Sequence, residues 1–225
     1  MTSAALAARA RPRAVKATRA DWLDLALRTL AIDGVDHVTV LGLGEKLGVS
    51  RSSFYWYFKN RDELLDALLD RWEKLNTRSI LDSAEAPAAN VNQAVLNVFR
   101  LWVNPAIFSP RLDSAVRDWA RCSAHVRKAI ERADRLRTEG LRAMFARFGY
   151  EDTDAFVRAR VLYSMQIGYW ALDLREPMEA RLKLTPHYLT AFTGAPATEE
   201  DIGAFRAYAR AHAHLADFEP SRAAP

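Results

Sequence analysis

The sequence has a single cysteine, Cys122, so no intramolecular disulfide can form and most sulfur-rich metal sites are excluded. Such poverty fits a reducing compartment, and the expected location is the cytoplasm. Nine glycines and nine prolines among 225 residues are too few for a fibrous or disordered chain. No proline falls between Arg13 and Ala86, which leaves that stretch open to uninterrupted helices. Uncharged stretches such as Val161 to Leu172 fall well short of the ~20 residues that span a bilayer, so no membrane partner is expected. The first twenty residues carry arginines without the apolar core of a secretory signal, and read as a basic arm. Gly-x-Ser-x-Gly, phosphate-binding glycine loops and His-Glu-x-x-His are all missing, so no enzyme class is indicated, and neither a cofactor nor a metal is implied. Cys122 and His125 stand one helical turn apart, but no second Cys/His pair joins them, which favours a structural reading.

What is present is apolar residues in helical register. Half the chain is hydrophobic and 10% aromatic, enough for real cores. Thr18 with Asp21 makes a capping box, after which Trp22, Ala26 and Leu30 recur at helical spacing over about residues 19–33. Thr39 caps Val40 to Leu47, with a stop at Gly48, and Ser50 caps a short segment from Arg51 to Phe58. Asn60, with Glu63 in the capping-box position, opens a rod carrying Leu64, Leu68, Trp72 and Leu75 on one face; run to Leu81 it is about 30 Å long. Further helices are expected over Val91 to Val103, Leu112 to Arg121, Ala124 to Phe148, Asp152 to Glu176 with a stop at Pro177, and from Thr198 to about Phe218, with Thr185-Pro186 as a start signal in between. No strand-length alternation and no internal repeat occurs, so the fold class is all-α, with about nine helices. The arginines between 127 and 147 read as a solvated face.

The charge is uneven. Residues 1–61 carry ten Lys/Arg against five Asp/Glu, a net of +5, whereas the whole chain nets only +4. A basic head on a near-neutral body points to a polyanionic partner for the head. Within that head, two short helices joined by Gly48-Val49-Ser50 have the form of a helix-turn-helix. Arg51, Ser52, Ser53, Tyr55 and Tyr57 offer hydrogen-bonding groups on the second helix, while Leu43, Leu47, Val49, Phe54 and Phe58 fix it from inside. A helix of this kind fits the DNA major groove.

The run Phe54-Tyr-Trp-Tyr-Phe-Lys-Asn-Arg-Asp-Glu-Leu-Leu65 after Gly48-Val-Ser50 resembles the TetR family of bacterial transcriptional regulators over about residues 18–68. The resemblance implies a homodimer that binds a palindromic double-stranded DNA operator and is released by a small-molecule effector. It implies four parts: an arm over 1–17, a three-helix DNA-binding head over 18–63, a helical ligand-binding and dimerisation body over 64–218, and a tail over 219–225. Carried over by position, Thr39, Lys59 and Arg61 would meet phosphates. Ser50, Arg51, Ser52 and Ser53 would lie at the leading edge of the recognition helix, and Tyr55 and Tyr57 would contact phosphate or base. Trp56 reads as a packing residue with an edge near DNA. The arm's Arg9, Arg11, Arg13 and Lys16 would reach a minor groove.

The chain departs from the family pattern at Leu41, where a polar residue is common, and at Gly42 and Gly44, each of which costs a helix roughly 1 kcal/mol relative to alanine. A looser helix and weaker, more salt-sensitive DNA binding are the expectation. In the body, Trp102, Trp119, Phe145, Tyr163 and Gln166 are the candidates for a ligand pocket. Gly168, Tyr169, Phe205, Tyr208 and His212 are the candidates for the dimer interface. Two other readings stay open: a ligand-independent or partner-controlled DNA-binding module of the same fold, and a helical enzyme or scaffold that has lost DNA binding.

Overall fold

The computed structural model describes residues 17–216, and these are helical throughout, without strands. The arm residues Arg9, Arg11, Arg13 and Lys16, and the tail from 219, lie outside the described residues, as does Phe218.

The head begins with α1 (Arg19–Asp33), capped by Thr18: its hydroxyl accepts from the Asp21 amide at 3.2 Å while Asp21 accepts from the Thr18 amide at 2.7 Å. A short turn leads to α2 (Val40–Leu47), which ends on Gly48 at φ 68°, a left-handed conformation that favours glycine. The helix α3 (Arg51–Phe54) is shorter than its sequence predicts. Its backbone closes at once, with the Tyr57 and Phe58 amides both donating to the Phe54 carbonyl, which turns Phe58 back into the core beside Phe54.

From Asn60 a rod runs through α4 (Arg61–Trp72), a π-helical segment Glu73–Thr77, and α5 (Arg78–Glu85). It extends past the expected end at Leu81. The wider turn follows from its side chains, since Trp72, Asn76 and Thr77 are all buried on one side against polar partners in the body. Such insertions mark places where a helix gives up regularity for specific contacts.

The body consists of α6 (Val91–Trp102), α7 (Pro110–Cys122), α8 (Ala124–Arg147), α9 (Asp152–Ala171), α10 (Met178–Thr193) and α11 (Glu199–Ala216). The helix α9 stops five residues before the expected Glu176, because Asp173 takes φ 50° and breaks the helix ahead of Pro177. The helix α10 was legible only as an isolated start signal at Thr185-Pro186. It begins at Met178 and runs through Pro186, which should interrupt it. Burial decides the matter: Leu182 before the proline and Leu189 and Phe192 after it all enter the body core, so tertiary packing outweighs the lost backbone bond.

Two apolar clusters form. One fills the body between α5, α6, α8, α9, α10 and α11. The other joins Trp22, Leu43, Phe54, Phe58, Leu64, Leu68 and Trp72 to Leu112, Val116, Trp119 and Ile130 of α7 and α8. The head therefore packs on the body through α1 and α7 and shares a core with it.

One arginine overturns the expectation of a solvated face on α8. Arg137 is fully buried, with its guanidinium 2.9 Å from the equally buried Asp113 carboxylate and 5.0 Å over the Trp72 ring. Arg132, Arg142 and Arg147 do sit outside, on Glu73, on Glu139 and Asp152, and on the Glu85 and Ala86 carbonyls.

Candidate nucleic-acid interface and body cavity

The helix-turn-helix is built outward from a packed centre. Trp22 is fully buried and meets Phe54 edge-to-face at 5.2 Å, and Phe54 stacks on Phe58 at 5.3 Å. Gly44 is buried where α2 passes this centre, and a Cβ on it would stand 3.2 Å from the Val49 carbonyl oxygen and 3.5 Å from the Trp22 ring. Its absent side chain is a packing requirement of the turn, so alanine's better helix propensity does not apply there. Gly42 has no such burial; a Cβ on it would meet only the Thr39 hydroxyl, at 3.1 Å.

On this centre the polar residues face outward. Thr39, Ser50, Arg51, Ser52, Tyr55 and Lys59 are exposed, whereas Ser53 and Tyr57 are half-buried. The Thr39 hydroxyl accepts from the Gly42 amide at 3.1 Å and its own amide donates to the His37 carbonyl, so its hydroxyl proton is the group left for an outside partner. Ser50 and Ser52 hydroxyls lie 2.8 Å apart, and the Ser53 hydroxyl donates to the Ser50 carbonyl. The Lys59 amide is taken by Glu63 at 2.6 Å, leaving the ammonium free to act. Trp56, read from sequence as a packing residue with an edge near DNA, is 78% exposed, the most open large apolar side chain among the described residues. Leu41 is exposed as well, at 52%. The exposure of Trp56 was not visible in the sequence, because which side of so short a helical turn is covered depends on its neighbours.

Arg61 has a different place from the one expected for a phosphate ligand. Its Nε donates to the Val38 carbonyl at 2.6 Å and its Nη2 to the Val35 carbonyl at 2.7 Å, tying the start of α4 to the residue before Thr39. Arg61→Met should cost about 1.5–3 kcal/mol of stability, the scale of hydrogen bonds to a charged group. Thermal or urea unfolding measures it, and a loss below 0.5 kcal/mol, about the noise for a surface change, would contradict this clamp.

In the body, the candidate pocket residues separate. Trp102 and Gln166 line a narrow cavity between α6, α9, α10 and α11, walled by Phe99, Leu182, Tyr188 and Phe205. Trp119 lies in the head-side cluster instead, Phe145 packs inside the body core against Tyr150, and neither lines this cavity. Tyr163 faces a polar hub: its hydroxyl donates to Asp134 at 2.7 Å and accepts from Arg117 at 2.8 Å and Arg137 at 3.0 Å. Burial raises its pKa beyond the usual phenol range, against the pull of the two guanidiniums.

The dimer candidates separate too. Phe205 is buried in its own subunit, edge-on to Phe99, and Tyr169 lines the cavity. Tyr208 accepts a hydrogen bond from the Asn104 side-chain amide at 2.8 Å and stacks on His212 at 4.1 Å. Gly168 is the one whose surroundings are open, with nothing within 4 Å of where its Cβ would stand. It continues an outward strip of α9 that includes Val157, 49% exposed, and Val161, 50% exposed. Elsewhere Cys122 donates to the Trp119 carbonyl and His125 lies 3.4 Å from Asp66; no group of three metal-ligating side chains occurs among the described residues. No described helix is long and apolar enough to cross a membrane.

Residues 23–68 match the family described as bacterial regulatory proteins, tetR family. Over 53 residues, 24% of this chain and 25% of the relative, the sequence is 42% identical to the HTH-type transcriptional regulator TtgR of Pseudomonas putida. Over 50 residues, 22% of this chain and 23% of the relative, it is 42% identical to the tetracycline repressor protein class D of Escherichia coli. The alignments thus span about a quarter of the length of these curated relatives. The fold is similar to that of the ketosteroid transcriptional regulator KstR2 of Mycobacterium tuberculosis, with a TM-score of 0.58 at 18% identity, covering 83% of this chain and 100% of that one. Residues 23–68 thus match the tetR family of bacterial regulatory proteins in sequence, and the chain as a whole is similar to KstR2 in fold.

Proposed function

We propose that the protein is a cytoplasmic, homodimeric transcriptional repressor that places α3 and the turn after it in the major groove of a palindromic operator and releases DNA when a small molecule enters the body. The observation that carries this reading is the outward set Arg51, Ser52, Tyr55 and Lys59 held by a fully buried Phe54–Phe58–Trp22 centre. The relatives named above are regulators and a repressor by name, which supports the same reading. Residues 18–63 serve as the head and 64–218 as the body. Two copies would meet along α9, through Val157, Val161 and Gly168.

A route from body to head is built in. Gln166 in the cavity wall lies one helical turn from Tyr163, whose hydroxyl joins Arg117, Arg137 and Asp134. Asp113, held by both arginines, accepts from Trp72 at 2.9 Å, and Arg137 donates to Thr77 at 3.0 Å, both on the rod that carries the head. Movement of α9 would thereby reach the π-helical segment.

The test is a titration of the purified protein against DNA from its own upstream region, with a random duplex as control. Tight binding of two chains per two-fold-symmetric site is expected; equal binding to both duplexes would refute an operator-specific role. Arg51→Ala should lose roughly 1–3 kcal/mol of affinity and relax base preference, whereas Lys59→Ala should weaken every sequence alike and flatten the salt slope by about 1. A uniform loss from both changes would contradict this division of labour.

A further inference from the structure

We propose that the cavity between α6, α9, α10 and α11 takes a compact, uncharged, apolar molecule bearing a carbonyl-type acceptor oxygen. The inference rests on the effector reading above only for what binding does to DNA; the site itself stands on its own chemistry.

Two nitrogens in the cavity wall carry the argument. Trp102 and Gln166 are 7% and 4% exposed, and the Trp102 Nε1 and Gln166 Nε2 atoms are buried without any hydrogen-bond partner. Buried polar atoms in a folded protein nearly always have partners, and one left alone calls for a reason. Other buried polar side chains of the body are paired, Asn92 with the Pro196 carbonyl and Thr193 and Asn104 with Tyr208, and the orphan Arg100 Nε and Arg137 Nη2 belong to guanidiniums that bond through another nitrogen. Trp102 and Gln166 differ from the other orphans in that both line one apolar cavity. An indole N–H is a donor and nothing else, so its partner must be an acceptor, and a carbonyl oxygen has two lone pairs to offer.

Charge narrows the class further. The inner polar groups are neutral, and the two charged side chains on the lining, Arg181 and Glu176, have opposite signs. Arg181 sits 5.2 Å over the Tyr169 ring, and Glu176 accepts from the Tyr169 hydroxyl at 3.3 Å. A carboxylate or an amine pressed against Trp102 would lose its hydration without a dedicated counter-ion, which disfavours both against a neutral carbonyl.

Size sets the rest. The cavity measures about 50 Å³, room for a few waters at about 10–15 Å³ each. It shares Trp102, Tyr169, Glu176 and Arg181 with an adjoining recess of about 280 Å³. A one-ring molecule would seat its carbonyl against Trp102 and Gln166 and lay its ring toward that recess, or push α10 outward. Either way α9 feels the ligand within a turn of Tyr163.

The experiment uses the full chain and three matched probes: acetophenone, ethylbenzene and benzoate, which present one ring with a neutral carbonyl, with no acceptor, and with an anion. Calorimetry or ligand-observed NMR at millimolar probe should give saturable acetophenone binding, with ethylbenzene weaker by about tenfold and benzoate weaker than acetophenone. Trp102→Phe keeps an aromatic wall and Gln166→Leu a branched apolar one, and each removes an orphan nitrogen. They should retain folding and hydrocarbon binding while losing most of the preference for the ketone. Equal binding of ethylbenzene, tighter binding of benzoate, or no saturable acetophenone binding would each overturn the proposal. Adding acetophenone to the DNA complex separates the two readings. Binding that leaves DNA affinity unchanged keeps the cavity assignment and removes the effector role. A protein that binds no DNA defeats the regulator reading, and the probe series still decides the cavity.

Discussion

Asp113→Ala is expected to cost about 3–5 kcal/mol of folding stability, because it leaves Arg137 charged, buried and without its counter-ion. Asp113 holds Arg137 at 2.9 Å and Arg117 at 3.1 Å while accepting from the Trp72 indole at 2.9 Å, so one carboxylate orients groups on α4, α7 and α8. Removing both charges is a milder change than removing one. Asp113→Ala/Arg137→Met should recover much of the loss, since an apolar replacement of an ion pair is often near neutral. Urea unfolding measures both, and a double variant no more stable than the single one would show that the stranded guanidinium is not the cause.

The same site sets a pH dependence. Burial pushes the Asp113 carboxyl up, but the guanidiniums of Arg137 and Arg117, with the Trp72 N–H, outweigh it and hold it below the usual carboxylate range. A folded-state pKa below the unfolded one gives stability that is complete above the unfolded value, ~3.9, and lost as pH falls through the folded value. The wild type should therefore weaken below about pH 4, and Asp113→Ala should show a flatter acid limb.

Trp22→Ala should cost about 3–5 kcal/mol as well, the range for deleting a buried aromatic. Its loss falls on the head: the ring supports Phe54 edge-to-face and lines the passage of α2 beside Gly44. Amide exchange in α2 and α3 should accelerate before exchange in α8 and α9, and operator binding should fail with the head. Trp22→Phe should be far milder, because the indole nitrogen it removes is buried without a partner. Uniform acceleration across the chain would mean that the shared core with α7 makes head and body a single cooperative unit.

The two sites have a common logic. The hub around Asp113 and Arg137 holds the rod at its π-helical segment, and the Trp22 centre holds the recognition turn at the rod's other end. On the proposed reading, a signal from the cavity reaches the second through the first, so variants of the hub should alter the coupling between ligand and DNA even where both still bind.

Much of this was written in short-range chemistry. Thr18 with Asp21, Asn60 with Glu63 and Thr198 with Asp201 capped their helices as the spacing required. Gly48 stopped α2, and the run from Gly48 to Leu65 identified the helix-turn-helix. The caps and the stop depend on residues within four positions of one another, and the run is contiguous, both of which a sequence states directly. What the tertiary structure decided depends on which faces meet. Gly44 is a contact point with Val49 and Trp22 rather than a weak helix former, Arg61 a clamp on two carbonyls, and Arg137 a core residue made tenable by a carboxylate 24 positions earlier. Trp102 and Gln166 share a cavity that Trp119, Phe145 and Tyr163 do not reach. Pro186 continues a helix because the residues on either side of it are buried. Periodicity says that a face is apolar; only the packed neighbours decide whether that face becomes core, cavity or open surface, because burial is a property of the assembled helices and of no one of them alone.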